Sequence, residues 1–191
     1  MSEIIKFNTE ELAKVNPTPP VQVKVFDLVG KDNPILKEIL PEFNFDQPGV
    51  DPNEFASSLV ETCKLHRGIG LSANQCGFRH RVFVMGANDD YVAFFNPKIL
   101  GKSENETHMI EGCLSFPFLG LKITRPESIH VEYQDFNGVK HEQTFYGLSA
   151  RVFQHEYDHL EGLIFLNRVK PLALQMGLKK QNKLIRKIRI K

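Results

Sequence analysis

No apolar run in the sequence approaches the roughly 20 residues that a membrane-crossing helix requires, so no spanning helix is expected. The start, Met1-Ser2-Glu3-Ile4-Ile5-Lys6, has neither the apolar core of a signal peptide nor Arg-rich transit character. We therefore expect a cytoplasmic protein. Cysteine is scarce. Cys63, Cys76 and Cys113 are too few for a disulfide framework, and their odd number fits a reducing compartment. Any one of them could still hold a metal as thiolate. Acidic residues are missing from positions 171–191, which carry seven Lys/Arg. The first 170 residues hold 17 basic against 23 acidic side chains, so an acidic body ends in a +7 tail. Internal repeats and low-complexity segments are also lacking.

What is present suits one ordinary domain: 191 residues, 41% hydrophobic and 25% charged, enough to bury a core without staples. We divide the chain into an N-terminal extension (1–20), a main domain (21–170) and the basic tail (171–191), read as helical. Residues 9–15 suit a short helix closed by Pro17, Pro19 and Pro20, and Val21, Val23 and Val25 alternate as in a half-buried strand. Residues 32–50 hold three prolines and predict loop with one short helical turn. The spacing predicts a helix over 51–67: Asp51 caps, Pro52 suits the first position, Glu54 completes an acidic capping box, and Gly68 terminates it. On it Cys63 is a core residue and His66 a helix-end residue.

Arg81–Met85 and Tyr91–Phe95 read as strands around a polar turn at 87–90, and Glu127–Gln134 with Val139–Phe145 as a hairpin across Asn137-Gly138. Gly147-Leu148-Ser149 leads into a further helix, with Ser149 as a possible cap and Gly162 as its stop. The fold class is α+β, with short antiparallel or mixed strands packed around a central helix. A long helix in the N-terminal half and a C-terminal helix complete it.

That central helix carries the densest chemistry, Gln154-His155-Glu156-Tyr157-Asp158-His159-Leu160-Glu161-Gly162. Four residues apart on a helix, His155 and His159 share one face and can present two imidazoles to one metal ion. Glu156 follows the first ligand and can reach an activated water, the placement of a general base. A third ligand must come from elsewhere, because Gly162 and the apolar Leu163-Ile164-Phe165 follow the motif where a downstream Glu or third His pattern would extend it. Upstream, Glu111-Gly112-Cys113-Leu114-Ser115 offers a thiolate at a strand edge, with Gly112 allowing close approach. A glycine-punctuated turn, Gly68-Ile69-Gly70-Leu71-Ser72-Ala73-Asn74-Gln75, ends in an amide.

Together, and in this order, these stretches resemble the peptide deformylase family. Its signature is Gly-x-Gly-Leu-Ala-Ala-x-Gln, then Glu-Gly-Cys-Leu-Ser, then Gln-His-Glu-x-Asp-His-Leu-x-Gly. The second and third match at every fixed position; the first departs once, with Ser72 where Ala is usual. The resemblance covers roughly residues 25 to 170. It implies that Cys113, His155 and His159 bind one divalent metal, Fe(II) favoured with Zn, Ni or Co as alternatives, and that water takes the open position. It implies removal of the N-formyl group from formylmethionyl nascent peptides with release of formate. In that reaction Glu156 is the base, the Gln75 amide and Leu114 N–H steady the oxyanion, and Ile69, Gly70 and Gly112 line the peptide groove.

Glu111 is expected to pair with Arg125 and Asp158 to be structural. Arg151 either rims the methionine pocket or points away. His80, His108, His130 and His141 match no ligand position, and Cys76 is read as a packed thiol. The basic tail, with Leu174, Leu178, Ile185 and Ile188 on one face, either packs as a terminal helix or docks on the ribosome. No sequence-specific nucleic-acid contact is expected. Two rival classes are a His-Glu-x-x-His metalloprotease and a non-catalytic peptide- or metal-binding relative.

Overall fold

Residues 23–189 are described by a computed structural model. The segment 9–15, the prolines after it and Val21 lie outside the described residues. Five antiparallel strands form the main sheet in the order β1-β2-β3-β6-β7: β1 (Gly70–Ser72), β2 (Val82–Ala87), β3 (Asp90–Lys102), β6 (Ser128–Gln134) and β7 (Lys140–Tyr146). Two more, β4 (Glu106–Cys113) and β5 (Phe116–Pro126), pair separately. Three helices, α1 (Pro52–Leu65), α2 (Gly147–Leu160) and α3 (Pro171–Arg189), complete an α+β architecture, with a 3-10 turn at Pro34–Lys37 inside the expected loop. Helix α2 packs against β1, β2, β6 and β7 of the large sheet and β5 of the small one.

Each element follows from local chemistry. Asp51 accepts a hydrogen bond from the Glu54 amide (2.8 Å), a cap that stabilises a helix by about 1 kcal/mol. Phe55, Leu59 and Cys63 then bury one face of α1 against Leu71, Val82 and Val84. Gly138, at φ 79°, makes the β6–β7 turn that Asn137-Gly138 predicts. The other face of the main sheet, through Phe83, Phe94 and Tyr133, packs on Val152 and Phe153 of α2. A third cluster joins Leu119, Leu121 and Ile123 of β5 to Phe165.

Four expectations need correction. Residues 23–30 join no sheet. The Lys24 and Phe26 amides donate instead to Ser58 Oγ (3.1 Å) and Thr62 Oγ1 (2.9 Å) of α1. Val23 and Val25 are exposed, while Phe26 and Leu28 pack inward; the alternation has the right period and the opposite phase. Gly68 does not supply the left-handed stop of α1, because Arg67 adopts φ 55° itself. Gly68 serves close packing: a Cβ there would lie 2.8 Å from Leu114 Cδ1 and 3.0 Å from Cys63 Sγ.

Ser149 is not the cap of α2. The helix opens at Gly147 with Tyr146 in the cap position, no side chain bonding there, and Ser149 buried in the first turn. On α3 the inward stripe is Leu174, Gly177, Gln181 and Ile185, while Leu178 and Ile188 are exposed. Gly177 sets this geometry: its α-carbon comes so close to β5 that a Cβ would meet Leu121 Cδ2 at 2.5 Å. Gln181 adds a hydrogen bond to the Pro117 carbonyl (2.7 Å).

Candidate metal centre

Cys113 ends β4, where the ladder with β5 shifts register after Glu111. The shift turns the thiol toward α2. There His155 and His159, one helical turn apart, hold their rings 5.3 Å centre to centre. The Cys113 sulfur lies 3.3 Å from His159 Nε2, and the three ligand atoms all fall within 4.8 Å of one another. Bonds of about 2.1 and 2.3 Å to a common ion separate nitrogen and sulfur by about 3.6 Å at the tetrahedral angle. The cysteine–His159 pair is already that close. Among the described residues this is the one group of three or more such side chains with converging donors.

Among the described residues His159 Nδ1, which is buried, has no hydrogen-bond partner, so its ring is held by packing and by what Nε2 meets. Burial, then the neighbouring His155 and Arg125, keep its pKa well below the ordinary value, so it stays neutral as a ligand must. His155 donates Nδ1–H to Glu111 Oε2 (2.9 Å), which fixes its tautomer and aims Nε2 at the cluster. Burial works against charge on His155, but hydrogen bonds with Cys113 and Glu111 outweigh it and push its pKa up to about 10. Holding a divalent cation together with Cys113 and His159 would require the His155 ring to give up that proton. Two nitrogens and one sulfur, converging and partly pre-oriented, fit a borderline-soft divalent metal.

Behind the ligands is a buried ionic network. Arg125 grips Glu111 with two bonds (2.7 and 2.9 Å) and reaches Asp158 with a third (2.8 Å). Arg151 donates to the same Glu111 (3.0 Å) and to the Thr107 backbone (2.8 Å). Arg168 closes the chain on Asp158. Burial alone would raise the pKa of Glu111, but the hydrogen bonds from Arg125 and His155 dominate and hold it well below the carboxylate range. Glu111 thus meets its expected partner and two more. Arg151 is buried; it touches the cleft and is turned into this network.

Glu156, next after His155 in α2, is buried and borders the cleft. Burial raises its pKa, offset in part by His155 and by a hydrogen bond from Ser72. Gly70 lies directly against it: a Cβ there would sit 2.5 Å from Glu156 Oε1. Gln75 accepts from the Ser72 amide (2.9 Å), and its Nε2 lies 3.1 Å from Ser115 Oγ and 3.5 Å from the Cys113 sulfur. Leu114, next after Cys113, lays its side chain over Gly68. Gly112 is unconstrained, since a Cβ there meets only the Leu119 carbonyl at 3.7 Å. Ile69, Gly70, Gln75, Gly112, Cys113, Leu114, His155 and Glu156 all border one cleft of about 720 Å³.

The remaining histidines stay outside the cluster: His108 bonds Thr124, His130 bonds Thr144 and Glu142, and His141 bonds Asp135. His80 packs among Phe43, Phe55 and Phe78. Burial pushes Cys63 and Cys76 each up to about 12, as packed thiols rather than ligands. Sequence reasoning passed over Asn74 and Arg168. Asn74, fully buried, donates from Nδ2 to the His159 carbonyl (2.8 Å) and pins the last turn of α2. Its only signal was its place between two small residues and Gln75.

Comparison with known proteins gives this arrangement its context. A family model described as polypeptide deformylase matches residues 25–175. The peptide deformylase of Thermotoga maritima is 39% identical over 141 residues, 73% of this chain and 84% of that protein. Among solved structures, the peptide deformylase of Synechococcus elongatus in complex with actinonin superposes with a TM-score of 0.77 at 29% identity, covering 87% of this chain and 94% of that one. A peptide deformylase from Plasmodium falciparum gives 0.75 at 33% identity, covering 86% and 98%. With the match running through both sheets and all three motif-bearing stretches, the chain belongs to the polypeptide deformylase family.

Proposed function

We propose that this protein removes the N-formyl group from the N-terminal formylmethionine of newly made polypeptides and releases formate. The observation that carries the reading is the convergence of Cys113 with His155 and His159 beside a buried Glu156, at the floor of a cleft with a free strand edge. Cys113, His155 and His159 hold one divalent cation, Fe(II) by preference for a thiolate-containing set, with Zn, Ni or Co as substitutes. When bound, the cation supplies Lewis-acid polarisation and makes water a better nucleophile near neutral pH.

The chain's own groups do the rest. Among the described residues, edge strand β1 pairs only with β2. Gly86 N–H bonds the Ile69 carbonyl and Leu71 faces Val84, so the N–H and C=O of Gly70 point away from the sheet. An extended peptide can add to that edge, lying between β1 and the Gly112–Leu114 segment. On that register we assign the backbone contacts to Gly70, with the half-exposed Ile69 offering its side chain. Glu156 takes a proton from the attacking water and passes it to the departing amine nitrogen. Gln75 Nε2–H and Leu114 N–H donate to the oxygen that gains charge at the formyl carbon.

Purified protein loaded with iron under anaerobic conditions should release formate from formyl-Met-Ala and leave unformylated Met-Ala uncut. Cleavage of the unformylated peptide bond instead would identify a metalloprotease, and metal binding without either reaction a non-catalytic relative.

Substrates emerge at the ribosome, so we place the protein in the cytoplasm and assign the far half of α3 to ribosome docking. Lys183, Arg186 and Lys187 are exposed there beside Leu184 and Ile188. Removing residues 183–191 spares Gly177 and Gln181, which brace β5, and should abolish co-sedimentation with ribosomes at low salt.

A further inference from the structure

Ser72 is the single departure of this chain from the first motif, and its hydroxyl meets Glu156. It is fully buried at the end of β1. Its Oγ lies 2.7 Å from Glu156 Oε2 and 3.1 Å from the Glu156 backbone carbonyl. A hydroxyl has one proton and donates it to one of them. The carboxylate wins on distance and on charge, since bonds to ionised acceptors are shorter and roughly twice as strong. The carbonyl, inside α2, has the helix ladder for a partner. Among the described residues no other hydrogen-bond donor reaches either carboxylate oxygen of Glu156.

The two oxygens are thus unequal. Oε2 is tied to β1 through Ser72, and Oε1 lies over Gly70, where the absent Cβ leaves it room beside the cleft. The last torsion of a glutamate is broad and roughly two-fold, so without a fixed donor the carboxylate plane turns freely. We propose that Ser72 is a positioning residue for the base, locking Glu156 by Oε2 so that Oε1 is the oxygen presented to the reacting water. This rests on Glu156 being the base, as assigned under Proposed function.

The test uses full-length, metal-loaded protein and Ser72→Ala, which removes one oxygen atom and restores the residue that the motif usually carries. Three quantities are measured: kcat and KM on formyl-Met-Ala-Ser, metal per chain, and the Glu156 conformation in crystal structures of both proteins. A misplacement of about 1 Å costs on the order of 100-fold, so kcat should fall roughly 10- to 100-fold. KM should stay within about twofold and metal content should be unchanged, with the Glu156 carboxylate rotated or split between orientations in the variant. An unchanged kcat overturns the proposal. So does a loss of activity that tracks a loss of metal, which would make Ser72 a packing residue. If the wild-type protein binds metal and releases no formate, the functional reading fails instead; the crystal structures then decide on Ser72, and a Glu156 that stays put in the variant overturns it.

Discussion

At the scale of single residues, the cleft divides labour between two side chains whose loss should look different. Glu156 stands outside the Cys113–His155–His159 group, and its carboxylate accepts a hydrogen bond from Ser72. Glu156→Ala should therefore keep a full complement of metal while turnover drops at least about 100-fold, the low end for losing a general base. Gln75 is a different case. Its Oε1 is spent on the Ser72 amide, leaving Nε2 beside Cys113 as a donor already aimed into the site. Gln75→Ala removes one donor to a developing charge, a change that typically costs 100- to 1,000-fold in rate. The variant should be slow and measurable, with the loss in kcat rather than KM. A loss confined to KM would assign Gln75 to ground-state binding instead.

At the scale of elements, the decisive contact joins the end of β4 to α2, and Glu111 secures it. Its carboxylate takes bonds from Arg125 on β5, and from Arg151 and His155 on α2. Removing one partner from a buried ionic group costs about 3–5 kcal/mol, because the remaining charges stay buried. Orienting partners of metal ligands are worth about 10- to 100-fold in affinity. Glu111→Gln should lower both thermal stability and metal affinity, the latter read by competition with a chelator. A variant that lost stability and kept its affinity would show that His155 needs no help from Glu111.

The elements also show what was legible beforehand. Periodicity and turn chemistry gave α1, the β2–β3 and β6–β7 pairs and α2, since Asp51-Pro52, Asn137-Gly138 and the spacing of Phe55, Leu59 and Cys63 act locally. The β4–β5 hairpin was read only as a strand edge at Cys113. Its link, Leu114-Ser115, has no glycine or asparagine turn signal, and Met109 and Ile110 are half-buried or exposed. The segment at 23–30 misled because its backbone is satisfied by hydroxyls of α1, a tertiary choice that alternation cannot report. In the site, helical spacing paired His155 with His159, and Cys113 joined them through the resemblance to the deformylase motifs. The burial of Arg151 and the grip of Asn74 on the His159 carbonyl depend on long-range packing and carry no local mark.

For the whole molecule, two linkages should be visible in unfolding. His80 sits half-buried among phenylalanine rings, and burial lowers its pKa. The unfolded chain takes up that proton near pH 6.5 and the folded one only at lower pH. The stability tied to neutral His80 is therefore complete above about 6.5 and drains as the pH falls through 6.5 toward the folded value. His80→Phe should lose less stability than wild type between pH 7 and pH 5.5 in urea denaturation; equal slopes would exclude His80 as the source.

The second linkage is the metal itself. An ion held by Cys113 and the two histidines would tie the small β4–β5 sheet to α2, which also packs on the large sheet. Free metal at about 100 times its Kd stabilises the folded state by about 2.7 kcal/mol. In a domain of this size each kcal/mol moves Tm by about 2–4 °C, so adding a chelator should lower Tm by roughly 5–10 °C. Cys113→Ser weakens the set at its one soft donor while changing little in volume. Its Tm should start near that of chelated wild type and respond little to chelator. A large chelator response in Cys113→Ser would mean that the ion holds on without the sulfur, and β4 would then lose its place as the strand that completes the centre.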